Sequence, residues 1–408
     1  MSSAKSGKTV SGKVSERPVP ERTVRFDSRS LGDALGTLCS VPASRVRTEY
    51  GEHCECVFDG ETVLFRYVGD HSVRISLAHS PIGNALGEAD RVFMMPIRKV
   101  MAVVKNSKSD HCDITVTPSG IELRSGNAKA NLPAPLPDDY GFDCDQIRKI
   151  RAGAHCSVRV DVRCLSNALA ACRPGDNESY KDFDVQCLLM KYTGQSLEVV
   201  SAGSTKFILT HVAAELLSSE DTVLSEGVTA EHKLTLHSGS VTVLQRVLSK
   251  MEGSCEILFS ESYVSVSCNG TLIEMPTTLA KMVPYSQVYK RKHEIVELMA
   301  VASEPLRSAV EVLVPLIAAK EGDVGVFLKT DSESMESVLS LRSKAGEVDV
   351  ISSVSSDFNV CFDLMKFRTL LSVFGKEDIV KISRLGGGMI FLTSDSSPIV
   401  CVFAVIED

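Results

Sequence analysis

A pattern of strand, capping residue and helix occurs six times in this sequence, and it limits the possible folds more than any other feature. In its clearest copy, residues 358–376, an alternating apolar run precedes Asp363, and Leu364, Phe367 and Leu371 then follow at helical spacing. An aspartate in that position is typical of a helix N-cap, and Gly375 is predicted to end the helix in a left-handed conformation. The other copies begin near residues 23, 92, 158, 233 and 294, at intervals of roughly 60–75 residues.

Six copies at this spacing predict an α+β protein of three repeated domains, each with two helices packed on antiparallel sheets. The predicted domains are residues 23–150, 151–290 and 291–408. Residues 1–22 are rich in Ser and Lys and contain two prolines, so we expect a disordered N-terminal tail. A single domain with six unrelated strand–helix units is the alternative.

The net charge of −8 alone argues against a nucleic-acid partner, but the charges are unevenly distributed. The six helical stretches together contain 14 Lys or Arg and three Asp or Glu, so the remainder of the chain carries −19. These stretches are residues 28–39, 96–108, 162–173, 238–250, 303–320 and 364–376. Glutamate forms helices as well as lysine does, so helix propensity does not explain the excess. We therefore expect a shared basic surface, the alternative being solvated helix faces without a partner.

Composition and motif searches favour a cytoplasmic protein that is not an enzyme. Thirteen cysteines without a secretory signal do not suggest a disulfide framework, and no apolar run is long enough to span a membrane. The run 52–56 (EHCEC) has metal-capable side chains but no second cluster to complete a site, and 386–388 (GGG) lacks the lysine and serine of a phosphate loop. We find no catalytic, metal-binding or cofactor-binding constellation.

Two pairs of stretches and one single stretch resemble the bacterial beta sliding clamp, the processivity ring of DNA polymerase III. They are residues 94–105 (MMPIRKVMAVVK) with 121–141, 160–172 (VDVRCLSNALAAC) with 184–212, and 358–374 (FNVCFDLMKFRTLLSVF) within the last block. The resemblance extends from about residue 23 to 406 in order and spacing. It implies the sliding-clamp fold and a head-to-tail homodimer whose ring encircles duplex DNA without reading its sequence.

Basic residues on the helices are then expected to face DNA, because phosphate contacts position a protein without specifying sequence. The candidates are Arg98, Lys99, Lys105, Arg173, Lys181, Arg246, Lys250, Arg307, Lys320, Lys366 and Arg368.

The resemblance also implies an apolar pocket between the second and third domains, which receives short linear peptides from the replicative polymerase and the clamp loader. Carried over by position, the pocket comprises Val185, Thr205, Lys206, Phe207, Pro284, Gln287, Val288, Val402, Phe403 and Val405. Phe207 and Phe403 depart from the family's usual residues, which predicts a somewhat different peptide preference. Ordinary core packing is the alternative for these residues.

A dimer seam is implied between the first domain of one copy and the third domain of another. It comprises Lys129, Ala130, Leu132, Pro315, Leu316 and Ile317. Ala130 stands where the family commonly has a bulky aromatic residue, which removes apolar contact area. Two alternatives to a DNA clamp therefore stay open: a clamp-derived scaffold that binds peptides without closing around DNA, and a cytosolic α+β enzyme.

Overall fold

The computed structural model describes most of the chain, and all structural statements refer to the residues it describes. These are residues 22–40, 53–59, 62–68, 72–78, 80–82, 92–117, 119–133, 154–174, 186–203, 206–219, 232–260, 263–316, 325–331, 338–343, 346–351, 353–354, 359–386 and 388–404. The chain divides into two compact units, the first formed by Met1–Cys39, Ala43–Val68 and Arg74–Phe142 and the second by essentially all residues from Asp143 onward.

The described residues of the first unit form two helices and nine strands. In chain order they are β1 (Arg22–Asp27), α1 (Ser28–Leu38), β2 (His53–Asp59), β3 (Thr62–Val68), β4 (Ser72–Ala78), β5 (Ser80–Ile82), β6 (Val92–Pro96), α2 (Ile97–Asn106), β7 (His111–Thr117), β8 (Gly120–Ser125) and β9 (Ala128–Pro133). One antiparallel sheet has the order β5-β1-β7-β8-β9, and β2 pairs with both β3 and β6. The two helices contact each other, and their buried faces, with Leu31, Leu35, Ile97 and Val100, contribute to the core.

The second unit contains the remaining elements. They are β10 (Ala154–Asp161), α3 (Val162–Ala171), β11 (Cys187–Tyr192), β12 (Ser196–Ala202), β13 (Lys206–Ser219), β14 (Lys233–His237), α4 (Ser238–Leu248), β15 (Ser254–Ser260), β16 (Tyr263–Cys268), β17 (Thr271–Pro276), α5 (Tyr285–Tyr289), β18 (Val296–Ala302), α6 (Ser303–Leu313), β19 (Gly325–Asp331), β20 (Val338–Ser343), β21 (Gly346–Ile351), β22 (Ser353–Val354), β23 (Asn359–Asp363), α7 (Leu364–Leu371), β24 (Ile379–Leu385), β25 (Met389–Ser394) and β26 (Ser397–Ala404).

The antiparallel pairings of the second unit form a continuous sheet in the order β14-β11-β12-β13-β26-β25-β24-β18. β13 also pairs with β10, which continues through β15 and β16 to β17. A separate sheet has the order β21-β20-β19-β23. The helices pack in two pairs, α3 with α4 and α6 with α7, which we call the middle helix pair and the last helix pair.

The predicted succession of strand and helix is confirmed in all six places, since α1, α2, α3, α4, α6 and α7 each begin at the residue after a strand. A side chain caps α1, α3, α4 and α7, whereas Pro96 before α2 and Ala302 before α6 make no such bond. Carboxylates cap three of these helices. Asp27 accepts a 2.8 Å hydrogen bond from the Ser30 N–H, Asp161 a 2.8 Å bond from the Cys164 N–H, and Asp363 a 2.9 Å bond from the Met365 N–H. The bonds donated by Ser30 and by Cys164 lower the pKa of Asp27 and of Asp161, because they stabilise the ionised carboxylate.

The helix ends differ from the prediction at two places. α6 ends at Leu313 and continues only as a 3-10 turn (Val314–Leu316), because Pro315 has no N–H to extend the helical ladder. α7 ends at Leu371, and Gly375 is not among the residues with positive φ, so the predicted glycine stop is wrong. The Arg307 guanidinium instead donates to the carbonyl oxygens of Leu371 and Phe374 at the end of α7.

Two structural units do not test the division into three domains, which stays a prediction. The tail, residues 1–22, lies outside the described residues apart from Arg22 in β1.

Candidate functional site

Helix α2 of the first unit exposes three cations of the predicted DNA-facing set. Arg98, Lys99 and Lys105 are exposed, whereas Ile97 and Val100 are buried on the opposite face. No described carboxylate lies within ion-pair distance of these three cations. Their charge is therefore directed to solvent.

The middle helix pair also exposes basic residues. Arg246 lies in the last turn of α4, and Arg173 and Lys250 follow the C-terminal ends of α3 and α4, all three exposed. Arg163 on α3 is exposed too, and like Arg246 it has no described carboxylate within ion-pair distance. Arg163 belongs to this surface, although the set predicted from sequence did not include it. Its place in the first helical turn, beside the apolar Val162, is the sequence signal that indicates an exposed side chain.

The basic residues of the last helix pair are engaged within the protein. Arg368 forms a 2.6 Å ion pair with Glu311, and Lys366 lies 3.9 Å from its capping neighbour Asp363. Arg307 is half-buried and binds the carbonyl oxygens that end α7. Of the predicted set, Lys181 and Lys320 lie outside the described residues.

The predicted peptide pocket falls on a joint between two strands that are distant in sequence. At this joint β13 and β26 pair antiparallel, with Lys206 opposite Phe403 and Leu209 opposite Val400. Successive side chains of a strand point to opposite faces of the sheet. One face of the joint is covered by residues 277–295, which we call the connecting segment, and the other by the helices α3 and α7.

The face under the connecting segment carries an apolar cluster. Phe207 is 6% exposed and Val402 2% exposed, and both pack with Tyr285, whose ring centre lies 6.0 Å from that of Phe207. The Tyr285 O–H donates a 2.6 Å hydrogen bond to Glu198. Val288 is half-buried against the same cluster. Tyr285 therefore covers Phe207 and Val402 on this face.

Further members of this cluster were not in the predicted pocket. They are Leu189, Val200, Ala202, Leu209, Tyr285, Leu385 and Phe391. Phe391 comes from β25, which pairs with β26, and Leu385 from β24, the next strand along, so only the sheet order brings them together with Phe207. Among the predicted residues, Pro284 and Gln287 are exposed on the connecting segment, and Val185, Thr205 and Val405 lie outside the described residues.

Phe403 lies on the opposite face from Val402. Its ring is 5.6 Å from that of Phe362 and 5.8 Å from that of Phe367, in the core beneath α7. The residues predicted for one pocket are therefore divided between the two faces of the joint.

Two cavities lie between α3 and α7 at the joint. The smaller has a volume of about 280 Å³ and is lined by Lys206 and Phe207 together with Arg173. The larger, of about 500 Å³, is lined by His211 and Pro398 among others. Both share Ala170 and Ser372, so small side chains at the helix ends leave this space open.

The predicted seam residues lie in two places. Lys129, Ala130 and Leu132 belong to β9, an edge strand of its sheet; Lys129 is exposed and the other two are half-buried. Pro315 is exposed in the 3-10 turn after α6. The side chain of Leu316 and all of Ile317 lie outside the described residues.

No helix within the described part of the chain is long and apolar enough to cross a membrane.

No protein-family model and no curated protein matches this sequence. Solved structures do match. A DNA polymerase III beta subunit sliding clamp from Pseudomonas aeruginosa bound to griselimycin is 14% identical with a TM-score of 0.77. A DNA polymerase sliding clamp from Bacillus subtilis is 15% identical with a TM-score of 0.73, and a putative beta subunit from Eubacterium rectale is 11% identical with a TM-score of 0.74. Each match covers 95% of this chain and 100% of the other. The chain therefore has the α+β fold of the bacterial beta sliding clamps, in a sequence that diverges strongly from those structures.

Proposed function

We propose that this protein is a DNA sliding clamp, a homodimeric ring that encircles duplex DNA and tethers the replicative polymerase and the clamp loader through short peptides. The observation that carries the proposal is the exposed basic surface on α2 and on the middle helix pair, within a sliding-clamp fold. In this role the protein performs no reaction of its own.

The charge distribution supports sliding contact with DNA. Arg and Lys on helices neutralise phosphates by long-range attraction, which needs no fixed register on the duplex. The overall charge of −8 leaves the remaining surface acidic, and an acidic surface repels the phosphate backbone.

Two strand edges support a head-to-tail seam. β9 is the edge of the first unit's five-stranded sheet, and β21 is an edge of the sheet that ends with β23. Lys129 is exposed on β9, and Glu347 and Asp349 are exposed on β21. Edge strands with opposite charges can pair and extend a sheet from one copy to another.

The decisive experiment is retention on DNA of different topology. Protein loaded by its clamp loader with ATP should stay on nicked circular DNA and leave after one cut linearises it, and bulky blocks at both ends should restore retention. Equal retention on circular and open linear DNA would contradict encirclement.

The second candidate is a peptide-binding scaffold that does not close around DNA. It is favoured by the small Ala130 at the seam and by the engaged cations of the last helix pair. Sedimentation separates the two: a dimer at micromolar concentration supports the clamp, and a monomer alone supports the scaffold.

A further inference from the structure

The connecting segment is strongly basic on its exposed side. Within residues 277–295 the exposed cations are Lys281, Lys290, Arg291 and Lys292, and Glu294 is the one carboxylate. Glu294 is bound to Arg291 at 2.7 Å, so it compensates that cation and not its neighbours. A chain with net charge −8 thus places a positive surface beside its apolar cluster.

Contacts join this charge to the cluster. The Lys292 Nζ lies 4.7 Å from the centre of the Tyr289 ring and donates a 3.3 Å hydrogen bond to the Tyr289 hydroxyl. Tyr289 packs against the apolar cluster, and its ring lies 6.4 Å from that of His211.

The cover over Phe207 is built from few interactions. Tyr285 belongs to a five-residue helix, too short to be stable by itself, and its hydroxyl is held by Glu198. In the same segment Leu279 is 99% exposed, which shows that the segment packs only part of its apolar surface. An aromatic or leucine side chain from a partner would find its position on Phe207 taken by the Tyr285 ring.

We infer that the partner of this site is an acidic peptide. It is a short segment with one aromatic or leucine anchor flanked by Asp or Glu, whose anchor replaces Tyr285 on Phe207 and whose carboxylates pair with Lys290 and Lys292. The inference rests on the peptide site of the proposed function and is independent of DNA encirclement. Complementary charge gives such a partner both selectivity and a faster association rate.

Two synthetic fluorescent peptides test the charge. Both carry a Leu-Phe anchor, one flanked by three Asp and the other by three Asn, and binding to the full-length protein is measured by anisotropy. Two or three surface ion pairs predict about tenfold tighter binding of the Asp peptide at low salt. The ratio should shrink as salt is raised, since salt screens exposed charges.

Charge reversal with a matched control locates the effect. Lys290→Glu with Lys292→Glu should remove the preference for the Asp peptide, whereas Lys99→Glu with Lys105→Glu on α2 should leave it unchanged. Tyr285→Phe removes the bond to Glu198 and should tighten binding of both peptides about fivefold, because the cover opens more easily.

The inference is overturned if wild-type protein binds the two peptides equally, binds neither, or loses the Asp preference in the α2 control. It is also overturned if the Lys290→Glu, Lys292→Glu variant loses DNA retention while its peptide preference is unchanged, since those cations would then serve DNA. Loss of topological retention with an intact Asp preference would contradict only the DNA clamp.

Discussion

The middle and last helix pairs share one architecture and use their positive charges in opposite ways. In both pairs each helix begins directly after a strand. One helix of each pair has an aspartate N-cap, Asp161 on α3 and Asp363 on α7. In the middle pair Arg163 and Arg246 are exposed and lie beyond ion-pair distance of every described carboxylate, the capping Asp161 included. In the last pair Arg368 is bound to Glu311.

The difference shows that a count of cations does not measure a basic surface. The stretches of the last pair contain five Lys or Arg and two Glu, and those of the middle pair contain four Lys or Arg and no acidic residue. The last pair has more cations, yet Glu311, Glu304 and main-chain carbonyls take up much of their charge. We therefore expect the middle pair to contribute more to DNA affinity.

The largest expected effect comes from charge reversal in the middle pair. Arg163→Glu with Arg246→Glu should weaken binding to duplex DNA more than tenfold and reduce the slope of log affinity against log salt by about 2, because two phosphate contacts are lost. Titrations at several salt concentrations measure both. Arg368→Glu with Lys376→Glu is the matched change in the last pair and should cost less than threefold; equal losses would contradict the comparison.

Arg307 is expected to matter for stability and not for DNA. Arg307→Ala leaves the carbonyls of Leu371 and Phe374 without their donor and should lower the free energy of unfolding by about 2 kcal/mol. Urea unfolding measures this. Arg246→Ala, an exposed arginine of the middle pair, should change stability by less than about 0.5 kcal/mol. A large DNA defect in the Arg307 variant would show that the side chain also faces DNA.

The two aspartate caps should contribute alike. Asp161→Ala and Asp363→Ala should each cost about 1 kcal/mol in the free energy of unfolding at neutral pH. The pKa of Asp161 is lowered from 3.8, mainly by the bond from the Cys164 N–H. Its contribution is therefore complete above that value and is lost as the pH falls through the lower folded-state pKa. Unfolding of wild type and the Asp161 variant should differ less near pH 3 than near pH 7, and a constant difference would argue against the ionised cap.

The smallest effect is expected from releasing one cation of the last pair. Glu311→Gln removes the partner of Arg368 and should strengthen DNA binding about twofold, since the pair is exposed and its coupling is weak. The same titrations measure it. Unchanged affinity would place Arg368 away from DNA.

The local pattern along the chain was predictable from sequence, and the partners of individual side chains were not. Asp161 and Asp363 could be assigned as caps because capping depends on residues within one helical turn. Arg307 has the sequence environment of an exposed helix cation, but its acceptor Leu371 lies 64 residues further along the chain. No periodicity indicates such a contact.

The predicted peptide pocket shows the same limit at the level of sheet register. Val402 and Phe403 are neighbours in one strand, so they point to opposite faces, and only the pairing with β13 decides which of them joins Phe207. The prediction from sequence, which used only position along the chain, assigned both Val402 and Phe403 to the peptide pocket. The closure by Tyr285 depends on how the connecting segment folds back over the sheet, which a short polar stretch does not reveal.

Strand β13 has a mechanical consequence. Its first residues, Lys206–Leu209, are hydrogen-bonded to β26, and its last, Ala214–Ser219, to β10, so a single 14-residue strand is shared by sheet regions that carry different helix pairs. If the region around β26 or the region around β10 unfolds, β13 loses the backbone hydrogen bonds to that strand. The other region then loses support from β13 as well. We expect the second unit to unfold cooperatively, with amide protons at both ends of β13 exchanging through the same rare opening event.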